Sequence, residues 1–185
     1  MKEAESVYQL DLEEVDVVDI AANKTGALYE LACRAGCRIA SDGARAMTTE
    51  ASLAAYARAL GVAFQLVDDA LDIVAPAAQL GKRPGTDLRE GVYTLPVIYT
   101  LAGRFAGAEE LRRIVSLRAA SHDDLGEALA LLANNGSVAA ALATAADYVA
   151  TAKAALSTLP DEGVARQLAA ITDFVMARAT RAGAW

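Results

Sequence analysis

The sequence predicts an all-α protein, and three observations support this fold class. Close to a quarter of the residues are alanine, which forms helices readily and strands poorly. Apolar residues recur at three- and four-residue spacing, and no segment shows the apolar-polar alternation of a half-buried strand. Hydrophobic residues make up 55% of the 185, which excludes general disorder and allows one sizeable core.

Two long helices are predicted in the first half of the chain. The first extends from about residue 13 to residue 40, where valine, alanine and leucine recur at helical spacing, and Gly43 interrupts the pattern. The second extends from about residue 50 to residue 74. Thr48 or Thr49 is its expected N-cap, because either hydroxyl can accept a hydrogen bond from a free backbone N–H.

The rest of the chain is predicted as a loop followed by shorter helices. Pro76 ends the second helix and begins a loop over residues 76–93, where glycine, proline and charged residues are frequent. Helix is expected to resume at Leu95, because Pro96 suits a first turn. Further helices are predicted at about 108–119, 122–134, 137–158 and 161–182, with breaks at Asn134-Asn135-Gly136 and Pro160-Asp161.

Charge and composition exclude several classes of function. Lys and Arg number 17 against 24 Asp and Glu, and the net charge of −7 disfavours general nucleic-acid binding, which needs a basic face. No apolar run reaches the length of a membrane-spanning helix, and the acidic N-terminus lacks a signal-peptide pattern, so a cytoplasmic protein is expected. Cys33 and Cys37 are interpreted as small core residues rather than as a disulfide or a metal pair.

The most informative segment is residues 61–74, where polar side chains form a narrow stripe on an otherwise apolar helix. At about 100° per residue, these side chains fall within an arc of about 100°. They are Gln65, Asp68, Asp69 and Asp72. Clustered carboxylates with apolar flanks repel one another and are difficult to ionise, so either some are protonated or a cation binds them.

Mg²⁺ is the cation that this stripe favours, since oxygen ligands select hard ions and Mg²⁺ needs few protein carboxylates. Such an ion can also bind the oxygens of a phosphate ligand. The alternative is a solvated acidic face on an ordinary amphipathic helix. That alternative is disfavoured because the flanks of the stripe are apolar and the stripe contains no Lys, Arg or Glu.

Lys82 and Arg83 follow the stripe in the glycine-rich segment 81–91. Cations beside a carboxylate cluster are expected where a diphosphate bridges them, with Mg²⁺ on one side and lysine on the other. The segment is not a P-loop, because it lacks the spacing and the preceding strand. Taken alone, it is typical of a solvated turn.

Four segments together resemble the trans-isoprenyl diphosphate synthase, or polyprenyl synthetase, family. They are Asn23-Lys24-Thr25, Gly61 to Asp72, Gly81 to Gly91 and Thr94-Leu95-Pro96, and their order and spacing agree with the family. The resemblance implies an isoprenoid-synthase-type helical bundle. It also implies that residues 1–185 form the C-terminal half of a polyprenyl synthetase domain, which contains the second of two aspartate-rich motifs.

The resemblance implies a magnesium and diphosphate site. Asp68, Asp69 and Asp72 would hold Mg²⁺ that bridges to an allylic diphosphate. Lys24 and Lys82 would pair with the same diphosphate and stabilise it as it departs. The implied reaction condenses the allylic diphosphate with isopentenyl diphosphate and makes linear isoprenyl diphosphates.

The resemblance also implies which side chains surround the substrate. Thr25, Phe64 and Gln65 would border its hydrocarbon chain. The expected catalytic group consists of Lys24, Thr25, Gln65 and Asp68. No nucleophilic triad is needed for this chemistry.

The chain departs from the family in two respects. Val92 occupies a position where the family usually has lysine, so one cation that would contact the diphosphate is missing. The first aspartate-rich motif is absent as well, and His122-Asp123-Asp124 comes too late in the chain to replace it. His122 itself is expected to be an ordinary residue at a helix start.

Two hypotheses follow for the function. In the first, the chain is a prenyltransferase that works with an N-terminal half, supplied by the same precursor after cleavage or by a separate subunit, and a dimer is expected. In the second, the chain is a non-catalytic regulatory subunit that dimerises with a full-length synthase. A fragment of a terpene cyclase fits the segment 81–91 less well.

Overall fold

The fold is a bundle of α-helices, as the composition and periodicity predict. It was obtained as a computed structural model and describes residues 6–40, 45–76, 83–117 and 121–181. Within these ranges all regular structure is helical. Lys82 and Gly43, which the sequence analysis singles out, lie outside the described residues.

The helices follow one another along the chain with short connections. They are α1 (Glu14–Ala21), α2 (Ala27–Ala40), α3 (Arg45–Val74), α4 (Thr86–Glu90), α5 (Leu95–Leu101), α6 (Ala108–Val115), α7 (His122–Asn134), α8 (Ser137–Ala155) and α9 (Glu162–Arg181). A π-helical turn, Ala22–Gly26, joins α1 to α2, and the 3₁₀ turn Leu156–Thr158 follows α8.

Helix α3 is the centre of the bundle, and its sequence explains why. It packs against α2, α8, α9 and the π-helical turn. Its buried apolar side chains cover most of its circumference, and they are Ala54, Tyr56, Ala57, Ala59, Leu60, Val62, Ala63, Leu66, Val67, Ala70, Leu71 and Ile73. A helix that is apolar on nearly every side is stable only when other helices cover it.

The predicted start of the second long helix is wrong by about one turn. Helix α3 begins at Arg45 rather than near residue 50, so Thr48 and Thr49 lie inside the helix and neither caps it. Ser52 Oγ donates to the Thr48 carbonyl at 3.1 Å, as a hydroxyl inside a helix does. The reason is that Arg45 and its neighbours, alanine and methionine, are good helix formers and do not end a helix.

Two local features of the backbone are not predicted by the spacing of apolar residues. The predicted first helix is divided by the π-helical turn, and the predicted loop 76–93 contains the short helix α4. Gly85 and Gly91 bound α4 with φ of 73° and 75°, which side chains larger than hydrogen rarely adopt. Helix α6 ends at Val115, one turn before its predicted end.

The remaining expectations about the elements agree with the structure. Pro96 lies in the first turn of α5, and all seven residues of that helix are buried. His122 is the first residue of α7, after the N-cap Ser121, so its predicted position at a helix start is confirmed. Cys33 is half-buried and Cys37 buried, and both are free thiols.

In the described residues no single helix is both long and apolar enough to cross a membrane. Helices α7 and α8, together with the 3₁₀ turn, meet the length and composition requirements only as a pair, and that pair is bent by 60°.

Two glycines bring the π-helical turn directly against α3. A Cβ added to Gly61 would lie 2.6 Å from the Cα of Gly26, well inside van der Waals contact. The backbone of the turn therefore rests on the backbone of α3, and this contact sets the position of Lys24 and Thr25. Alanine cannot replace Gly61 unless the π-helical turn and α3 move apart.

We expect Gly61→Ala to lower the free energy of unfolding by about 1–3 kcal/mol, because overpacking forces the backbone to shift. Gly36→Ala is the matched control, since a Cβ there meets no atom within 4 Å and alanine favours the helix. Urea denaturation of both variants measures the difference. Equal stabilities for the two variants would show that the close approach is unimportant.

Candidate active site

A polar cavity of about 260 Å³ lies where α1, the π-helical turn, α3 and α4 meet. Lys24 and the α3 residues Gln65, Asp68 and Asp69 line it. The other lining residues come from α1, from the segment around α4 and from the N-terminal segment, and they are Val17, Ile20, Ala21, Asp87, Glu90, Val92, Tyr93, Thr94 and Ser6. The structure thus brings residues from all four of the predicted motif segments into one cavity.

The π-helical turn places Lys24 at this cavity. A π-helical turn inserts an extra residue into a helix, and such turns are frequent at functional sites. Lys24 and Thr25 both lie within the turn, between α1 and α2. Lys24 lines the cavity, whereas Thr25 is not among the lining residues and reaches the site through a hydrogen bond to Gln65.

Thr25, Gln65 and Asp69 form a chain of two short hydrogen bonds. Thr25 Oγ1 donates to Gln65 Oε1 at 2.6 Å, and Gln65 Nε2 donates to Asp69 Oδ1 at 2.7 Å. Both ends of the Gln65 amide are therefore engaged, which fixes its orientation. The result is an Asp69 carboxylate held in one position on the cavity wall.

The buried Asp69 carboxyl is difficult to ionise. Burial raises the pKa of Asp69 to about 7, against the opposing effect of the hydrogen bond from Gln65. Asp87 and Asp68 raise this pKa further, and Lys24 lowers it. The sequence analysis expects either protonation of the stripe or a bound cation. With a pKa of about 7, Asp69 is partly protonated near neutral pH when no cation is bound.

Asp68 is neutralised by a residue that the sequence analysis does not assign to the site. Arg178 Nη2 lies 2.8 Å from Asp68 Oδ1, across 110 positions of sequence. The Arg178 guanidinium also lies 4.7 Å from the centre of the Phe64 ring. The centres of the Phe64 and Tyr29 rings lie 5.9 Å apart. Phe64 is not among the residues that line the cavity.

Asp72 connects the stripe to α4. It is buried, and its Oδ2 accepts a hydrogen bond from the Asp87 backbone N–H at 3.1 Å. The Asp72 carbonyl accepts from the Gly85 N–H at 2.8 Å. Through these bonds Asp72 holds the start of α4, and Asp87 with it, beside Asp69.

The segment around α4 contributes differently from what its sequence suggests. Asp87 and Glu90 lie on the face of α4 that lines the cavity, and Val92 lines it as well. Arg83 is not among the residues that line this cavity, and it lines a different cavity together with α7. Glycine backbone geometry and the bonds to Asp72 decide this arrangement, and neither is visible in the spacing of charges.

The donors in the cavity fit a hard divalent cation. Asp68, Asp69 and Asp87 offer carboxylate oxygens, the ligands that Mg²⁺ prefers. Among the described residues no three His, Cys, Asp or Glu side chains are arranged to hold an ion together. Mg²⁺ does not require three, since it usually takes one or two protein carboxylates and keeps several waters.

Comparison with known proteins identifies relatives along most of the chain. A family model described as polyprenyl synthetase matches residues 2–132. The nonaprenyl diphosphate synthase of Mycobacterium tuberculosis is 35% identical over 170 residues, which cover 90% of this chain and 50% of that protein. The farnesyl diphosphate synthase of Escherichia coli is 37% identical over 131 residues, which cover 70% of this chain and 40% of that protein.

Solved structures share the fold. A polyprenyl synthase from Caulobacter crescentus, in complex with calcium and isoprenyl diphosphate, superposes with a TM-score of 0.86 at 33% identity and covers 95% of this chain. The chain covers 53% of that structure and spans about half the length of the curated relatives it matches. These matches confirm the predicted family and the isoprenoid-synthase-type bundle.

The raised pKa of Asp69 predicts that stability falls as pH rises. Between about pH 4, where an unfolded Asp ionises, and pH 7, native Asp69 retains a proton that the unfolded chain releases. The free energy of unfolding should therefore decrease by up to roughly 1.4 kcal/mol per pH unit from this group. Urea denaturation from pH 4.5 to 8 with a chelator present measures the slope.

Asp69→Asn is the matched variant, because its amide oxygen can still accept from Gln65 and cannot ionise. The difference in stability between Asp69→Asn and the unaltered chain should widen through this range and become constant above about pH 7. Parallel pH profiles would contradict the assignment.

Proposed function

Because the chain belongs to the polyprenyl synthetase family, we propose that residues 1–185 form the C-terminal half of a polyprenyl synthetase domain and carry half of a prenyl-transfer site. The proposed reaction is the Mg²⁺-dependent condensation of an allylic diphosphate with isopentenyl diphosphate, which makes linear isoprenyl diphosphates. The two relatives described above are named for products of different length, farnesyl and nonaprenyl diphosphate, and both are named as diphosphate synthases. Their names therefore support the class of reaction rather than one chain length.

One observation carries the proposal: Lys24 shares a cavity with the carboxylates of Asp68 and Asp69. The ammonium group of lysine binds diphosphate oxygens directly. Carboxylates repel the same oxygens unless a divalent cation lies between them. A diphosphate with a bound Mg²⁺ suits both groups, because its oxygens bind Lys24 and its Mg²⁺ binds the carboxylates.

In the proposed reaction the allylic C–O bond breaks and the double bond of isopentenyl diphosphate attacks the resulting carbocation. The new carbocation then loses a proton to the diphosphate released in the first step. Lys24 binds the departing diphosphate as its negative charge grows. Mg²⁺ held in the cavity would supply positive charge that stabilises the same leaving group. Asp68 and Asp69 are the proposed Mg²⁺ ligands within the cavity.

The other site residues act on the position of these groups. Thr25 and Gln65 hold Asp69 through their hydrogen bonds. We assign to Asp72 the task of holding α4 beside the stripe, because its Oδ2 accepts the Asp87 N–H. Phe64, stacked against Arg178, is proposed to border the hydrocarbon chain of the substrate.

Exposed apolar faces support a partner polypeptide. On α2, Leu28, Leu31 and Ile39 lie on one face and are 66%, 63% and 89% exposed. On α9, Ile171 and Phe174 are 51% and 56% exposed. Several large apolar side chains exposed on one helix face are typical of an interaction site.

We propose that an N-terminal half covers these faces, supplied by the same precursor or by a separate subunit, and that the assembly is dimeric. A regulatory subunit that dimerises with a full-length synthase would also cover them. That alternative gives no reason for a carboxylate buried as deeply as Asp69. A cytoplasmic location stays a prediction.

We expect the chain by itself to transfer no prenyl group, because the proposed site lacks its first aspartate-rich motif. The test is incorporation of labelled isopentenyl diphosphate into prenyl products, with an allylic diphosphate and Mg²⁺, with and without a polypeptide that carries such a motif. Activity should require that polypeptide. Prenyl transfer by the purified chain without it would refute the two-half proposal.

In the active assembly, we expect Asp68→Ala and Asp69→Ala each to lower kcat/KM by about 100-fold or more, because each removes a proposed cation ligand. Asp147→Ala, which removes an exposed carboxylate on α8, is the control and should leave activity unchanged. Light scattering checks that the assembly is intact. Unchanged activity of the two stripe variants at intact assembly would favour the regulatory subunit.

A further inference from the structure

A second cavity, of about 470 Å³, lies between α7 and the segment that leads into α4. It shares no lining residue with the candidate active site. Its lining residues are Arg83, Pro84, Arg89, His122, Leu125, Gly126 and Leu129. Neither the family resemblance nor the proposed reaction uses this cavity.

The polar lining of the second cavity is entirely basic. Arg83, Arg89 and His122 supply it, and no carboxylate is among the described lining residues. Neither arginine forms an ion pair with another residue in the described parts of the chain. Both arginines and His122 are exposed, and no carboxylate of the described residues pairs with either arginine, so an anionic ligand in solution can reach and be attracted by this cluster.

The rest of the cavity is apolar. Pro84 and Leu129 are half-buried and Leu125 is buried. Gly85 packs closely against Leu129, where a Cβ would lie 2.9 Å from Leu129 Cδ1. A Cβ on Gly126 would meet no atom within 4 Å, which shows open space above that side of α7.

We propose that this cavity binds a phosphate monoester with a short apolar substituent. Arg83 and Arg89 bind the phosphate through their guanidinium forks, which match its oxygens, and the His122 ring N–H donates to the same group. The substituent packs on Pro84, Leu125 and Leu129. Binding at this cavity does not depend on the proposed prenyl transfer.

Helix α4 contributes residues to both cavities, so variants on its two faces can distinguish binding at one cavity from binding at the other. Asp87 and Glu90 face the candidate active site, and Arg89 faces the second cavity. A phosphate compound can therefore be tested for which side of α4 it occupies. Variants on each side separate the two sites.

The experiment titrates the full chain with n-butyl phosphate and follows the methyl signals of Leu125 and Leu129 by NMR. We expect saturable shifts at both residues. Arg83→Gln together with Arg89→Gln should weaken binding at least about tenfold, because both charge-assisted contacts are lost. Gly126→Met, which fills the open space with a good helix former, should weaken it as well.

Matched controls show whether n-butyl phosphate occupies this cavity or another basic part of the surface. Arg166→Gln with Arg181→Gln removes the same charge from α9, and Lys24→Gln alters only the candidate active site, so neither should change the affinity. Inorganic phosphate should bind more weakly than n-butyl phosphate. The proposal is overturned if shifts are absent, if the α9 pair or Lys24→Gln weakens binding as much, or if both phosphates bind equally.

Discussion

A row of carboxylates on the central helix of the bundle, α3, is the constraint on which the rest of this structure depends. Helix α3 is apolar on nearly every side, and ionised carboxylates are unfavourable in such surroundings. Each aspartate is accommodated differently. Asp69 keeps its proton to about pH 7, Asp68 pairs with Arg178, and Asp72 accepts a backbone N–H from α4. A divalent cation would relieve the same penalty more completely.

The interactions that accommodate these aspartates also hold the candidate active site together. Gln65 connects Asp69 to the π-helical turn that presents Lys24, while Asp72 holds α4 with its own carboxylate, Asp87, at the cavity. The contact between Gly26 and Gly61 sets the distance between the turn and α3. The elements that neutralise the stripe are therefore the same elements that give the cavity its cation and its shape. Stability and the proposed chemistry depend on one set of contacts.

The sequence predicted the parts of the site that follow from spacing within one helix. The positions of Gln65, Asp68, Asp69 and Asp72 on one stripe needed only about 100° per residue. It could not predict the Asp68–Arg178 pair, because 110 residues separate the partners and no local pattern marks them. The sequence also did not indicate that Arg83 lines a cavity with α7, because the residues that form this cavity are far apart along the chain.

What the sequence determined by itself is the fold class, the family and the residues that carry charge, since composition, helical period and motif order are local properties. Only the tertiary structure decided which of those residues share a cavity. Lys24 lies with Asp69, and Arg83 and Arg89 lie with His122. The physical reason is that close contacts between backbones and across distant helices set the direction of side chains. Such contacts depend on the packing of the whole bundle, which no sequence window contains.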